Sequence, residues 1–93
     1  MAKYEMLYLL NNDVTEEAKV ALIEKYENIV KSMNGTVLST DKWGTKKLSY
    51  PIKFKNEAYY VFTTFEADGA VVNEINRIAG IDADVYRMMI TKA

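Results

Sequence analysis

Ninety-three residues with a formal net charge of −1 suit one domain, residues 1–93, built around one small core. Hydrophobic residues make up 49% and charged residues 27%, the balance of an ordinary soluble globular chain. Cysteine and histidine are both missing, which removes disulfides, thiol nucleophiles, the commonest general base and the usual zinc ligands. No apolar run approaches the roughly 18 residues of a membrane span. The opening Met-Ala-Lys-Tyr-Glu lacks a secretory hydrophobic stretch, so a cytoplasmic protein is expected.

Tyr4 to Leu10 reads as a strand with Tyr4, Met6, Tyr8 and Leu10 on one face and Glu5, Leu7 and Leu9 on the other. Both faces are largely apolar. Thr15 is a good N-cap, and Glu16 and Glu17 suit the positive end of a helix. Ala18, Leu22, Tyr26, Ile29 and Met33, widened by Ile23 and Val30, form an amphipathic stripe. Asn34-Gly35 predicts its end, with the glycine taking the left-handed cap. Thr36 to about Lys47 predicts a weak, edge-type strand, with a bulge at Gly44. Extended backbone continues through Leu48, Tyr50 and Ile52, and Pro51 again argues for an edge.

Lys53 to Glu57 reads as a polar turn. Ala58 to Glu66 is the clearest strand, with Tyr59, Val61, Thr63 and Phe65 facing one way and Tyr60, Phe62 and Thr64 the other. Asp68 is expected to cap a second helix that turns Val71, Val72, Ile75, Ile78 and Ala79 inward and stops at Gly80. Ala83 to Lys92 predicts a last strand, with Val85 and Met89 opposite Tyr86, Met88 and Ile90.

The order strand, helix, strand, strand, helix, strand is the ferredoxin-like βαββαβ arrangement of class α+β. Right-handed crossovers put both helices on one face of a four-stranded antiparallel sheet. The other face stays bare while still carrying Leu7, Leu9 and aromatic residues. An uncovered apolar face predicts a partner surface.

Charge is uneven along the chain. Asp13, Glu16, Glu17, Glu24 and Glu27 outnumber Lys19, Lys25 and Lys31 around the first helix. Lys42, Lys46, Lys47, Lys53 and Lys55 share the stretch 42–55 with no acid, and Trp43 and Tyr50 are interleaved with them. Lys3, Arg87 and Lys92 add charge near the chain ends. Such a block fits phosphate contacts with rings that stack on bases or pack on protein. It equally fits a solvated hairpin whose lysines protect a sheet edge. Leu7 to Asn11 loosely matches a base-stacking strand motif, but its partner on the third strand is absent, and core packing explains it as well. The rings of Tyr59, Tyr60, Phe62 and Phe65 read either as a stacking platform or as core. Arg87 reads either as a paired structural arginine or as a phosphate contact.

Glu16 with Glu17 and Asp82 with Asp84 are the acid pairs, and neither has a visible catalytic companion. A hydrolase of the acylphosphatase type would need an arginine-bearing anion loop after the first strand, and Asn11 to Thr15 has no arginine and no glycine. No enzyme activity, cofactor, metal or small-molecule substrate is expected. A ferredoxin-like regulatory or oligomerisation domain is the alternative to a nucleic-acid role, since it would use the same bare face on itself.

Several segments together resemble a known family. Tyr4-Glu5 opens the first strand, and Trp43-Gly44-Thr45-Lys46-Lys47-Leu48-Ser49-Tyr50-Pro51-Ile52 follows in the middle. Tyr59-Tyr60 and Val85-Tyr86-Arg87 mark the last two strands. These resemble bacterial ribosomal protein S-six of the small subunit, over Lys3 to Lys92. The resemblance implies a ferredoxin-like ribosomal component that binds the central domain of small-subunit rRNA together with ribosomal protein S-eighteen. It implies RNA contacts near Lys3 and Tyr4, at the basic pair Lys46 and Lys47, and at Arg87. The pair is lysine where many members carry arginine, which keeps the charge and loses bidentate phosphate geometry. The expected RNA set is therefore Lys3, Tyr4, Lys42, Lys46, Lys47, Lys53, Lys55, Arg87 and Lys92. The expected partner-protein set is Trp43, Tyr50, Leu7 and Leu9.

Overall fold

The computed structural model describes residues 2–52 and 55–93, with backbone alone for 49–52 and 55. Its elements are β1 (Ala2–Asn11), α1 (Glu16–Ser32), β2 (Thr36–Ile52), β3 (Lys55–Ala67), α2 (Gly69–Ile81) and β4 (Val85–Lys92). The strands form one sheet in the order β2-β3-β1-β4, and each neighbouring pair is antiparallel. This is the ferredoxin-like arrangement that the element order implies. Lys55 to Glu57, expected as part of a turn, is already strand.

Strand alternation decides where the core lies. Met6, Tyr8 and Leu10 of β1 and Val61, Thr63 and Phe65 of β3 are fully buried beneath the helices. Ile23, Tyr26 and Val30 of α1 and Val71, Ile75 and Ala79 of α2 close over them. Lys19 joins this face too. Its stem is buried while its Nζ reaches Glu16 Oε1 at 3.1 Å and lies 5.0 Å from the Tyr59 ring centroid, a lysine snorkelling along apolar surface. The Tyr8 and Thr63 hydroxyls are buried with no partner in hydrogen-bonding geometry among the described residues, a local cost to stability.

The helix ends follow side-chain chemistry, with three departures from expectation. Thr15 caps α1 by accepting the Ala18 N–H at 3.1 Å. At the other end the left-handed residue is Asn34, with φ of 65°, and not Gly35. The Asn34 N–H donates to Lys31 O at 3.2 Å and the Gly35 N–H to Val30 O at 2.8 Å, the paired bonds of a Schellman cap. Asparagine tolerates this conformation. Gly35 is needed for closeness instead. In α2, Asp68 takes the cap position but its side chain makes no capping bond. The helix runs past Gly80 to Ile81, because nothing there requires a left-handed turn.

β4 begins at Val85, two residues later than expected, and a bulge resets its faces. Leu9 pairs with Arg87 and Leu10 with Val85, so Tyr86 is the extra residue. Val85 is thereby buried in the core with Met88 and Ile90 beside it, while Met89 is 39% exposed on the opposite face. The expected pairing of Val85 with Met89 on one face fails for this reason.

The loop before β4 is tied to α1 through Asp82. Its carboxylate accepts from Lys25 Nζ at 2.9 Å, from the Tyr26 hydroxyl at 3.2 Å and from the Asp84 N–H at 3.1 Å. Burial pushes this carboxyl up, but the Lys25 and Asp84 hydrogen bonds, the Lys25 charge and the Tyr26 hydroxyl outweigh it and hold it below its usual value. A depressed carboxylate stabilises the fold above its unfolded-state pKa, near 3.8, and that stability is lost as pH falls through the lower folded value. Asp82→Asn is expected to cost about 1–2 kcal/mol at neutral pH, allowing for the exposure of Lys25. The difference from the native chain should shrink below pH ~4. Urea unfolding at several pH values checks this, and a pH-independent difference would contradict it.

A candidate interface on the open face of the sheet

The helices leave one sheet face uncovered. The cross-strand registers place its residues in rows: Glu5 between Thr64 and Thr91, Leu7 between Phe62 and Met89, and Leu9 between Tyr60 and Arg87. β2 extends all three rows, with Ser39 beside Thr64, Asp41 beside Phe62 and Gly44 beside Tyr60. Leu9 is only 4% exposed although no helix covers it, since its neighbours' side chains crowd over it. An apolar band therefore crosses the sheet.

Trp43 caps that band at its edge. The register of β2 jumps between Lys42 and Gly44, and Gly44 has φ of 84°, which glycine adopts without a Cβ clash. The extra residue is Trp43. Its ring stacks on Phe62 with centroids 5.5 Å apart and planes 10° from parallel, and 48% of the residue remains exposed. Lys46 Nζ lies 6.0 Å from the Trp43 ring centroid, at the outer limit of a cation–π contact. The expected bulge is thus the device that turns the tryptophan onto the open face.

The candidate cations divide between two ends and two faces. Lys46 pairs with Ala58 and Lys47 with Glu57, so the adjacent lysines point to opposite sides of the sheet. Lys42 pairs with Val61 on the helix side. Arg87 and Lys46 therefore share the open face at the hairpin end. Lys3 and Lys92 are exposed at the other end, where Lys3 pairs with Glu66 and Tyr4 with Lys92. Eight positions along β1 separate Lys3 from Asn11 in the Lys46 row, about 26 Å at ~3.3 Å per residue. The Tyr4 ring lies on the core side against Phe65, with centroids 5.6 Å apart. Lys53 and the side chains of Tyr50 and Lys55 fall outside the described residues.

The full length of this architecture matches one protein family. The family model described as "Ribosomal protein S6" matches residues 3–92. The chain belongs to that family. "Small ribosomal subunit protein bS6" of Fusobacterium nucleatum is 38% identical over 92 residues, covering 99% of this chain and 98% of that protein. The protein of the same name from Exiguobacterium sibiricum is 37% identical, covering 99% and 97%. The crystal structure of 30S ribosomal protein S6 from Thermotoga maritima superposes with a TM-score of 0.93 at 24% identity, covering 99% of this chain and 87% of that one. That likeness shows the S6 fold. Ribosomal proteins are not an enzyme class, and among the described residues no cluster of acidic side chains could hold a metal ion. No helix is long and apolar enough to cross a membrane.

For this S6-family chain, the sequence alone places Leu7, Leu9 and Trp43 in the partner set but leaves out Phe62, Tyr60 and Met89. The β3 rings divide by parity, Tyr59 and Phe65 toward the core and Tyr60 and Phe62 outward. That signal is present in the alternation. Met89 is not legible, since the β4 bulge carries no sequence mark.

Proposed function

We propose that this chain is a structural component of the small ribosomal subunit, and that it binds the central domain of small-subunit rRNA together with ribosomal protein S-eighteen. The observation that carries the reading is the open face. An apolar band runs from the exposed Trp43–Phe62 stack to Met89, and Lys46 and Arg87 flank it on a chain of net charge −1. Trp43 and Leu7, with Tyr50, form the protein-facing part, while Leu9, expected there too, is buried and only underlies it. Lys46 and Arg87 meet phosphates at the hairpin end, helped by Lys42, Lys47, Lys53 and Lys55. Lys3 and Lys92 form a second, smaller RNA contact at the far end, whereas the Tyr4 ring, expected among the RNA residues, packs against the core on Phe65 instead. So few cations give weak RNA binding alone, and a companion protein supplies the rest of the surface.

The test is RNA binding across a salt series, with and without ribosomal protein S-eighteen. Affinity should rise strongly with the partner. Replacing both Lys46 and Arg87 by alanine should reduce the slope of log K against log salt by about 1.4–1.8, at roughly 0.7–0.9 per lost phosphate contact. Tight, salt-insensitive binding by the chain alone, or an unchanged slope in the double variant, would count against the proposal.

A further inference from the structure

We infer that the open face holds, beside Glu5, a socket for an arginine side chain from a protein partner. The inference rests on the proposed reading that this face meets another protein, and adds what that protein must present. The socket is a shallow hollow of about 250 Å³ lined by Glu5, Leu7, Phe62, Met89 and Thr91. That is smaller than the roughly 300–1,000 Å³ of metabolite clefts, and it suits one long side chain. Its floor is apolar, with Leu7 between Phe62 and Met89. Glu5 is its one charged lining residue.

Glu5 is an unusual residue for its place. It sits on a central strand, is half-buried, and is flanked across the sheet by Thr64 and Thr91, which carry no charge. Among the described residues it makes no ion pair and no hydrogen bond. Lys3, two positions back on the same face, is level with Glu66. An unpaired acidic residue on the rim of an apolar hollow complements a side chain with an aliphatic stem and a planar cationic head. Arginine meets this best, since its stem lies on Leu7 and Met89, its head packs on the Phe62 ring, and its fork binds the carboxylate. Phosphate is disfavoured beside Glu5, and Lys46 and Arg87 lie toward the other end of the face. The sheet surface is thus divided, with the Glu5 hollow for a basic protein segment and the Lys46–Arg87 end for the main RNA contact.

The test is a titration of the ¹⁵N-labelled full chain, followed by NMR, with N-acetyl-arginine amide, its neutral citrulline analogue and triuridylate. The arginine probe should shift the Glu5, Leu7 and Thr91 amides and bind about three- to tenfold more tightly than the citrulline probe. Glu5→Gln should erase that preference. Met89→Ser should weaken both probes while keeping their ratio. Triuridylate should shift Lys46 and Arg87 instead. Equal binding of the two amides, a preference that survives Glu5→Gln, or triuridylate seated at Glu5 would overturn the inference. Arginine at Glu5 with no triuridylate at Lys46 and Arg87 would support the socket and count against the RNA reading alone.

Discussion

Phe65→Ala is expected to cost about 3–5 kcal/mol of folding stability, whereas Phe62→Ala three residues earlier should cost only about 1–2. Both rings stand on β3. Phe65 is fully buried on the helix side, pairs across the sheet with Tyr4 and Val37, and packs its ring on Tyr4. Truncation there leaves a cavity in the only described core cluster, and in a domain this small that approaches the whole margin of stability. Phe62 is partly exposed on the opposite face, where it supports Trp43 and the floor of the hollow. Its loss removes little core but takes away an anchor of the proposed interface, so the proposed association with ribosomal protein S-eighteen should fall at least about tenfold. Urea unfolding and partner titration, run on both variants, separate the two roles. Equal stability losses, or full partner binding by Phe62→Ala, would show that the two faces do not divide fold from function.

Gly35→Ala should destabilise by about 1–3 kcal/mol, while Gly80→Ala should stabilise by about 0.5–1 kcal/mol. A Cβ on Gly35 would lie 2.7 Å from Val30 Cγ1 and 2.9 Å from both the Glu66 and Val30 carbonyl oxygens. Those carbonyls belong to the α1 cap and to the end of β3, so neither can move without disturbing an element. Gly80 has open space around it inside α2. Alanine there lowers the entropy of the unfolded chain and suits the helix. Thermal unfolding distinguishes the two directly, since one kcal/mol shifts Tm by about 4–8 °C in a domain of this size. Shifts of the same sign would contradict the packing account of Gly35.

The two variants also show why neither glycine's role is legible locally. By sequence pattern, both read as helix stops. In the fold, Asn34 provides the left-handed residue and Gly35 provides clearance for β3, a distant element that no local pattern reveals. Gly80 lies within a helix that continues because burial of Val71, Ile75 and Ala79 outweighs the glycine's poor propensity. Gly44 is legible as a bulge in an edge strand, because a lone glycine in an extended run commonly marks one.

The sequence by itself determined the element order, the antiparallel ferredoxin-like sheet, the Thr15 cap, which residues share a face of β1 and β3, and the apolar stripes of both helices. Those follow from periodicities of two and 3.6, which act over a few neighbouring residues. Only the tertiary structure decided which candidates meet. Strand register set Lys46 and Lys47 on opposite faces and put Lys3 far from the hairpin cations. Bulges at Trp43 and Tyr86 chose the outward residues, sending Trp43 onto Phe62 and Met89 beside Leu7. A bulge shifts every later side chain by one position, and its place is fixed by pairing with another strand.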